Sequence, residues 1–216
     1  MRYRACIFDM DGTLLNTIED IAAAMNTALA SVNCPGYTAA HYKNLVGSGI
    51  DMLIRRALPE ECTDDKTLTQ VKTVFRKQYL LHLTDTTRPY PGIPQLLDQL
   101  VKRNIKLAVL SNKPHEMVLL SVKRLLSGWP FQVLMGAGSE TTKKPDPAGA
   151  LLIADKLEVQ PKQILFIGDS SVDIETARKA GMQPVAVTWG FRKKEELIQM
   201  SAEIMISEPL KLLQHL

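Results

Sequence analysis

The stretch IFDMDGTLLNT, residues 7–17, sets two aspartates two positions apart at the end of an apolar run, with Gly-Thr behind them. Asp9 and Asp11 repel each other if both are ionised and close together, so the pair calls for a cation, a proton or a reaction that uses it. Directly upstream, 5–8 (ACIF) has the length and composition of a strand buried on both faces. Similar runs recur at 105–110 (IKLAVL), 131–135 (FQVLM), 164–167 (ILFI) and 184–188 (PVAVT). Helical patterns lie between the later ones, at 94–103, 114–126, 147–157 and 172–180, the last stopped by Gly181. Strand and helix alternating in this way predict an α/β fold with a doubly wound (Rossmann-like) parallel sheet covered on both faces.

The first crossover breaks the rhythm, because more than ninety residues separate Asp9 from the run at 105. Within them Ile18, Ile21, Ala22, Met25, Ala28, Leu29 and Val32 mark one face of an amphipathic helix, with Thr17 and Asp20 as a capping pair at its start. Further helices are expected over 39–45, 50–58 and 65–83, and TTRPYPG (86–92) reads as the turn-rich return. The chain therefore divides into a core, 1–14 and 89–216, and a small inserted α-helical domain, 15–88.

Composition narrows the function classes. The 216 residues are 45% apolar and 23% charged with net charge +3, and basic residues cluster only in short runs such as Arg55-Arg56 and Lys143-Lys144. That distribution argues against nucleic acid as a partner. No apolar run approaches a membrane span, and MRYR enters a strand-like run at once, leaving no room for a signal sequence. Three cysteines, Cys6, Cys34 and Cys62, without CxxC spacing, suit a reducing cytosol and indicate neither zinc nor redox chemistry. The expectation is a cytoplasmic protein, monomer or homodimer.

Doubly wound sheets bind ligands beyond the carboxyl ends of their strands. Asp9 and Asp11 follow the first run, Ser111 and Asn112 the second, and Gly168 and Asp169 the fourth, with Asp173 one turn on; Lys144 stands in KKPDP. Each alone reads as a turn or cap residue. Together, carboxylates suited to Mg²⁺ and a lysine with a hydroxyl suited to phosphate predict a phosphoryl-transfer site. GAG at 136–138 fails as a dinucleotide fingerprint because Thr141 replaces its third glycine. His41, His82, His115 and His215 show no ligand spacing, and His115 reads as a surface residue.

With these residues in order, DMDGT (9–13), SN (111–112), Lys144 in KPDP and GDSSVD (168–173), the sequence resembles the haloacid dehalogenase superfamily of aspartate-nucleophile hydrolases. The insertion is similar to that superfamily's helical cap. LVGSGIDMLIRRAL (45–58) and VTWGFR (187–192) resemble the phosphoglycolate phosphatase group. The resemblance implies that Asp9 is the nucleophile and Asp11 the general acid–base, with Mg²⁺ between the Asp9 carboxylate, the Asp11 carbonyl and Asp169. It implies that Ser111 and Lys144 hold the phosphoryl oxygens, with Asn112 helping through its backbone amide. Gly12 would admit the phosphate closely, Thr13 support the loop, and Asp173 orient the lysine or a metal-bound water. In the cap, Gly47 and Ser48 of VGSG would read the rest of a small phosphorylated metabolite, and Arg55 or Arg56 could meet a substrate carboxylate.

The implied activity is a Mg²⁺-dependent phosphomonoesterase, with phosphoglycolate the first candidate substrate. A pyrophosphatase, a sugar-phosphate phosphatase or a β-phosphoglucomutase would share the core residues. A phosphonatase would need a cap lysine, for which Lys43 is available, and a dehalogenase would not need Asp11. A non-catalytic binding protein or a receiver domain fits the complete residue set less well.

Overall fold

The computed structural model describes residues 3–138 and 142–216, so Met1, Arg2, Ser139, Glu140 and Thr141 lie outside the described residues. In the core, β1 (Ala5–Phe8) opens the chain, and after the helical insertion come α5 (Ile93–Lys102), β4 (Lys106–Pro114), α6 (His115–Leu125) and β5 (Phe131–Ala137). Then follow α7 (Ala148–Lys156), β6 (Ile164–Gly168), α8 (Ser171–Lys179), β7 (Gln183–Val187), α9 (Lys194–Gln199) and β8 (Ile204–Ile206). Among the described residues, these strands form one parallel sheet in the order β5-β4-β1-β6-β7-β8. This is the doubly wound α/β arrangement.

Side-chain alternation explains why the runs are continuously apolar. Cys6 and Phe8 of β1 face a layer with Leu96 and Leu100 of α5 and Val118 of α6, whereas Ala5 and Ile7 face Ile153 of α7 and Ala177 of α8. The chain leaves β1 toward β4 and β5, then crosses back to build β6, β7 and β8 on the other side. That reversal makes β1 and β6 neighbours in register, with Phe8 opposite Ile167, and so brings Asp9 and Asp169 to one crevice.

The insertion comprises α1 (Ile18–Ala30), α2 (Ala39–Leu45), α3 (Ile50–Ala57) and α4 (Asp65–Leu81). We read it as a cap. Its helices share a hydrophobic cluster built on Met25, Leu29, Tyr42, Ile54, Val71 and Phe75, which also takes in Met117 and Phe191 from the core. The two passages between core and cap run side by side, since β2 (Leu15–Asn16) pairs antiparallel with β3 (Arg88–Pro89).

The structure corrects several expectations. Thr17 stands at the N-cap of α1 but makes no side-chain cap hydrogen bond. Asp20 reaches across to the returning segment instead, accepting from the amide and hydroxyl of Thr87 at 2.9 and 2.6 Å and from the amide of Thr86 at 3.0 Å. Burial opposes its ionisation, but these bonds outweigh it and hold its pKa below the usual value. β8, α9 and the β2–β3 ribbon were not expected; β8 is three residues long and the ribbon two, below the length at which periodicity is visible.

Candidate active site

Asp9 continues the line of β1, its amide donating to the Ile167 carbonyl at 2.9 Å, and its Oδ1 accepts from the Met10 amide at 2.7 Å. The Lys144 ammonium sits 3.0 Å from Asp9 Oδ1 and 2.5 Å from Asp173 Oδ1. Asp173 is fixed on its other oxygen by the amide and hydroxyl of Ser170, at 3.1 and 2.6 Å. It therefore both closes the first turn of α8 and anchors the lysine. Asp169 Oδ2 accepts from the Phe191 amide at 2.6 Å.

Carboxylate oxygens of Asp9, Asp169 and Asp173 all lie within 4.8 Å of one another, and all three residues are buried. Lys144 is the ammonium that faces this group. Burial, reinforced by Asp173 and Asp9, pushes the Asp169 pKa up to about 8. Burial also raises Asp9 to about 6, against the pull of Lys144 and with Asp173 and Asp11 adding to the rise. Burial works against the charge on Lys144, but Asp173 and Asp9 overcome it and raise its pKa above the ordinary lysine value. Excess buried negative charge on hard oxygen donors fits a divalent cation such as Mg²⁺.

Two glycines permit this crowding. Gly12 has φ +85, and a β-carbon there would lie 2.3 Å from Asp169 Oδ2; a β-carbon on Gly190 would lie 2.3 Å from the Asp169 Cβ. Gly12 thus makes room for the Asp169 carboxylate. The Thr13 carbonyl accepts from Trp189 Nε1 at 3.1 Å, while its buried hydroxyl has no partner among the described residues.

Above the carboxylates lies a cleft, open in part to solvent, between the strand ends and the cap. Asp9, Asp11, Ser111, Asn112 and Asp169 line its floor, and Gly47 and Gly49 one rim. Ser48 is not among the lining residues, nor are Arg55, Arg56 and Lys43. Arg56 donates to the Leu45 carbonyl, and Arg55 lines a separate groove with Asp51 and Lys72. The Asn112 side chain is a bracket, donating to the carbonyls of Gly47 and Lys144 at 3.0 Å each and accepting from the Lys144 amide at 2.8 Å. His115 is half-buried, its ring accepting from the Gly136 amide at 3.3 Å.

The family model for haloacid dehalogenase-like hydrolases matches residues 6–187, which covers all of the strand-end residues just described. The chain belongs to the haloacid dehalogenase-like hydrolase family. It is 36% identical over 194 residues to a phosphoglycolate phosphatase of Aquifex aeolicus, spanning 88% of this chain and 87% of that protein. It is 31% identical to an N-acetylmuramic acid 6-phosphate phosphatase of Pseudomonas aeruginosa, over 99% of this chain and 94% of the other. The crystal structure of a predicted phosphoglycolate phosphatase from Haemophilus somnus superposes with a TM-score of 0.93 at 30% identity, over 99% and 98% of the two chains.

Within this member of the family, the structure adds groups that the sequence reading passed over. Lys113 lies 2.9 Å from Asp11 Oδ1 with its side chain 2% exposed, and it donates to the Tyr79 hydroxyl of α4. Arg192 reaches from the core to the carbonyls of Lys43 and Val46 in the cap. Lys113 stood one residue past the SN pair, and its position in a strand-end run was the available signal. Nothing local in the sequence pairs it with Tyr79, 34 residues away on an amphipathic helix.

Proposed function

We propose that the protein hydrolyses a small phosphomonoester through an aspartyl-phosphate on Asp9, with Mg²⁺ as cofactor. It is a phosphatase of the haloacid dehalogenase-like family. The observation that carries the mechanistic reading is the Asp9 carboxylate, held by Lys144 at 3.0 Å among buried acids on the floor of a cleft.

In this reading Asp9 attacks phosphorus and displaces the alkoxide, which takes its proton from Asp11; Asp11 then draws a proton from the water that cleaves the acyl phosphate. Ser111 and Lys144 hold the phosphoryl oxygens as negative charge shifts among them. Asp173 positions Lys144, and Asn112 positions the loop that carries it. Asp9 and Asp169 would hold Mg²⁺ with the Asp11 carbonyl, and the ion would supply charge neutralisation for the phosphate and its nucleophile. The division into core (1–14, 89–216) and cap (15–88) assigns chemistry to the first and leaving-group selection to the second. Phosphoglycolate is the first substrate to test, on the names of the similar proteins. Among the described residues no helix is long and apolar enough to cross a membrane; a cytoplasmic setting is part of the proposal, as is a monomer or homodimer acting without nucleic acid.

The test is phosphate release from phosphoglycolate, pyrophosphate and hexose phosphates, with Mg²⁺ and with EDTA, by wild type and Asp9→Asn. Metal-dependent turnover that drops by on the order of 10⁴-fold or more in the variant is the expected result. Turnover that survives in Asp9→Asn contradicts the nucleophile.

A further inference from the structure

The insertion is tied to the core by the chain itself at the paired strands β2 and β3. The loop Val46–Gly49 between α2 and α3 lies in the middle of the insertion, remote in sequence from both passages, so what holds it over the cleft is non-covalent. An α-helix ends in carbonyls that have no partner within the helix. At the end of α2 these carbonyls are met by side chains from two sources. Arg56 of the cap takes that of Leu45, whereas Arg192 of the core takes those of Lys43 and Val46, one with each terminal nitrogen of its guanidinium. Asn112, also of the core, takes the next carbonyl, that of Gly47, at 3.0 Å.

Arg192 is built in on both sides. Its Nε faces Glu196 at 3.5 Å and its side chain is 13% exposed. Phe191 before it is buried in the apolar cluster of the cap, while the Phe191 amide donates to Asp169 Oδ2 at 2.6 Å. The segment therefore keeps its backbone on the floor of the site and sends two successive side chains into the cap. Gly47 completes the fit: its φ is +122, and a β-carbon there would lie 3.2 Å from the Arg192 Nη2. A glycine at 47 lets the guanidinium lie against the loop, a role that no substrate contact requires.

Other polar ties between cap and core are weaker in kind. Arg76 pairs with Glu116, and Lys143 with Asp51 at 3.6 Å, but all four side chains are exposed and water competes for them. A charged fork on two carbonyls, largely shielded from solvent, holds more firmly.

We propose that Arg192 is a positioning residue that fastens the Val46–Gly49 loop over the cleft, and that the fastened loop confines the leaving group beside Asp11. Gly47, Gly49 and Asp11 line the same cleft, so the loop and the acid face one substrate. Arg192 acts on the loop, since its donors are turned to cap carbonyls and to Glu196. The fastening is independent of the reaction; its effect on turnover rests on the phosphatase reading above.

The experiment is amide hydrogen exchange, read by mass spectrometry, on wild type, Arg192→Met, Arg192→Lys and Arg76→Met, followed by kinetics on the same proteins. Arg192→Met is expected to speed exchange over residues 43–50 by roughly tenfold or more, with α1 and β6 unchanged. Arg192→Lys, which meets one carbonyl and cannot span two, should fall between, and Arg76→Met should match wild type. Exchange at 43–50 that is unchanged in Arg192→Met, or that rises equally throughout the chain, overturns the fastening. If Arg192→Met does not fold by circular dichroism, unchanged exchange in Arg192→Lys overturns it equally. The kinetic arm compares phosphoglycolate, whose alkoxide needs a proton and a fitted cap, with p-nitrophenyl phosphate, whose leaving group departs unaided. The ratio of their kcat/KM values should fall by roughly tenfold or more in Arg192→Met. A ratio that stays constant while exchange rises overturns the role in confining the leaving group. Failure of wild type to turn over either ester breaks the phosphatase reading, and the exchange data still judge the fastening.

Discussion

The rim of the core and the underside of the cap face each other across one cleft and are built on opposite principles. The rim concentrates charge: Asp9, Asp169, Asp173 and Lys144 are buried together and tied by specific bonds at 2.5–3.1 Å. The cap is held by packing, with Leu53, Phe75 and Tyr79 buried in a cluster shared with Met117 and Phe191 of the core. Charge that is buried on a few atoms fixes a reaction, because moving one group by a hydrogen-bond length leaves another unpaired. Apolar packing tolerates change and so leaves room for the choice of leaving group.

The contrast is sharpest at Lys144. Lys144→Met leaves Asp9 and Asp173 without their shared cation, and breaking a buried pair in this way costs about 3–5 kcal/mol of folding stability. It also removes a donor to the phosphoryl oxygens, worth roughly 10²–10³-fold in kcat. Thermal unfolding and steady-state kinetics on the one variant measure both, and a variant as stable as wild type would contradict the charge balance described here.

Across the cleft, Leu53→Ala should cost about 2–5 kcal/mol of stability by the cavity it leaves. Its kinetic effect is expected mainly in KM, with kcat altered less than tenfold, as for a residue that binds ground and transition states alike. A kcat loss as large as that of Lys144→Met would erase the distinction between rim and cap.

The smallest expected effect concerns pH. In the metal-free protein Asp169 and Asp9 titrate at about 8 and about 6, above the ordinary 3.8, so the folded state holds protons that the unfolded chain has released. Their contribution to stability therefore falls as pH rises from about 4 through 8. Mg²⁺ takes the place of those protons, so its stabilising increment should grow with pH. Melting curves with and without Mg²⁺ should show a shift several degrees larger at about pH 8 than at about pH 5.5. An increment that shrinks as pH rises would place the ion elsewhere.

The same division accounts for what could be read from the chain. The strand ends were legible because each apolar run is followed at once by its polar residue, Asp9 after ACIF and Asp169 after ILFIG, and the sheet order joins them. The cap helices were legible through their periodicity, with observed ends within two residues of those expected. Contacts made by single side chains across the molecule were not. Asp20 looked like a local capping residue and instead bonds Thr86 and Thr87, 66 and 67 positions away. Arg55 looked available to a substrate and does not line the cleft, because α3 turns its other face inward with Ile50 and Leu53; Ser48, in the loop before α3, does not line it either. Sequence periodicity says which face of a helix is buried; it does not say what stands opposite.

The chemistry proposed for the cleft depends on the covalent step at Asp9. Rapid quenching of a turnover reaction with borohydride, followed by peptide mass spectrometry, reduces an aspartyl-phosphate to homoserine and marks its position. The reduced residue is expected at position 9, formed only when both substrate and Mg²⁺ are present. Reduction at another aspartate, or phosphate carried by Ser111 in its place, would contradict it.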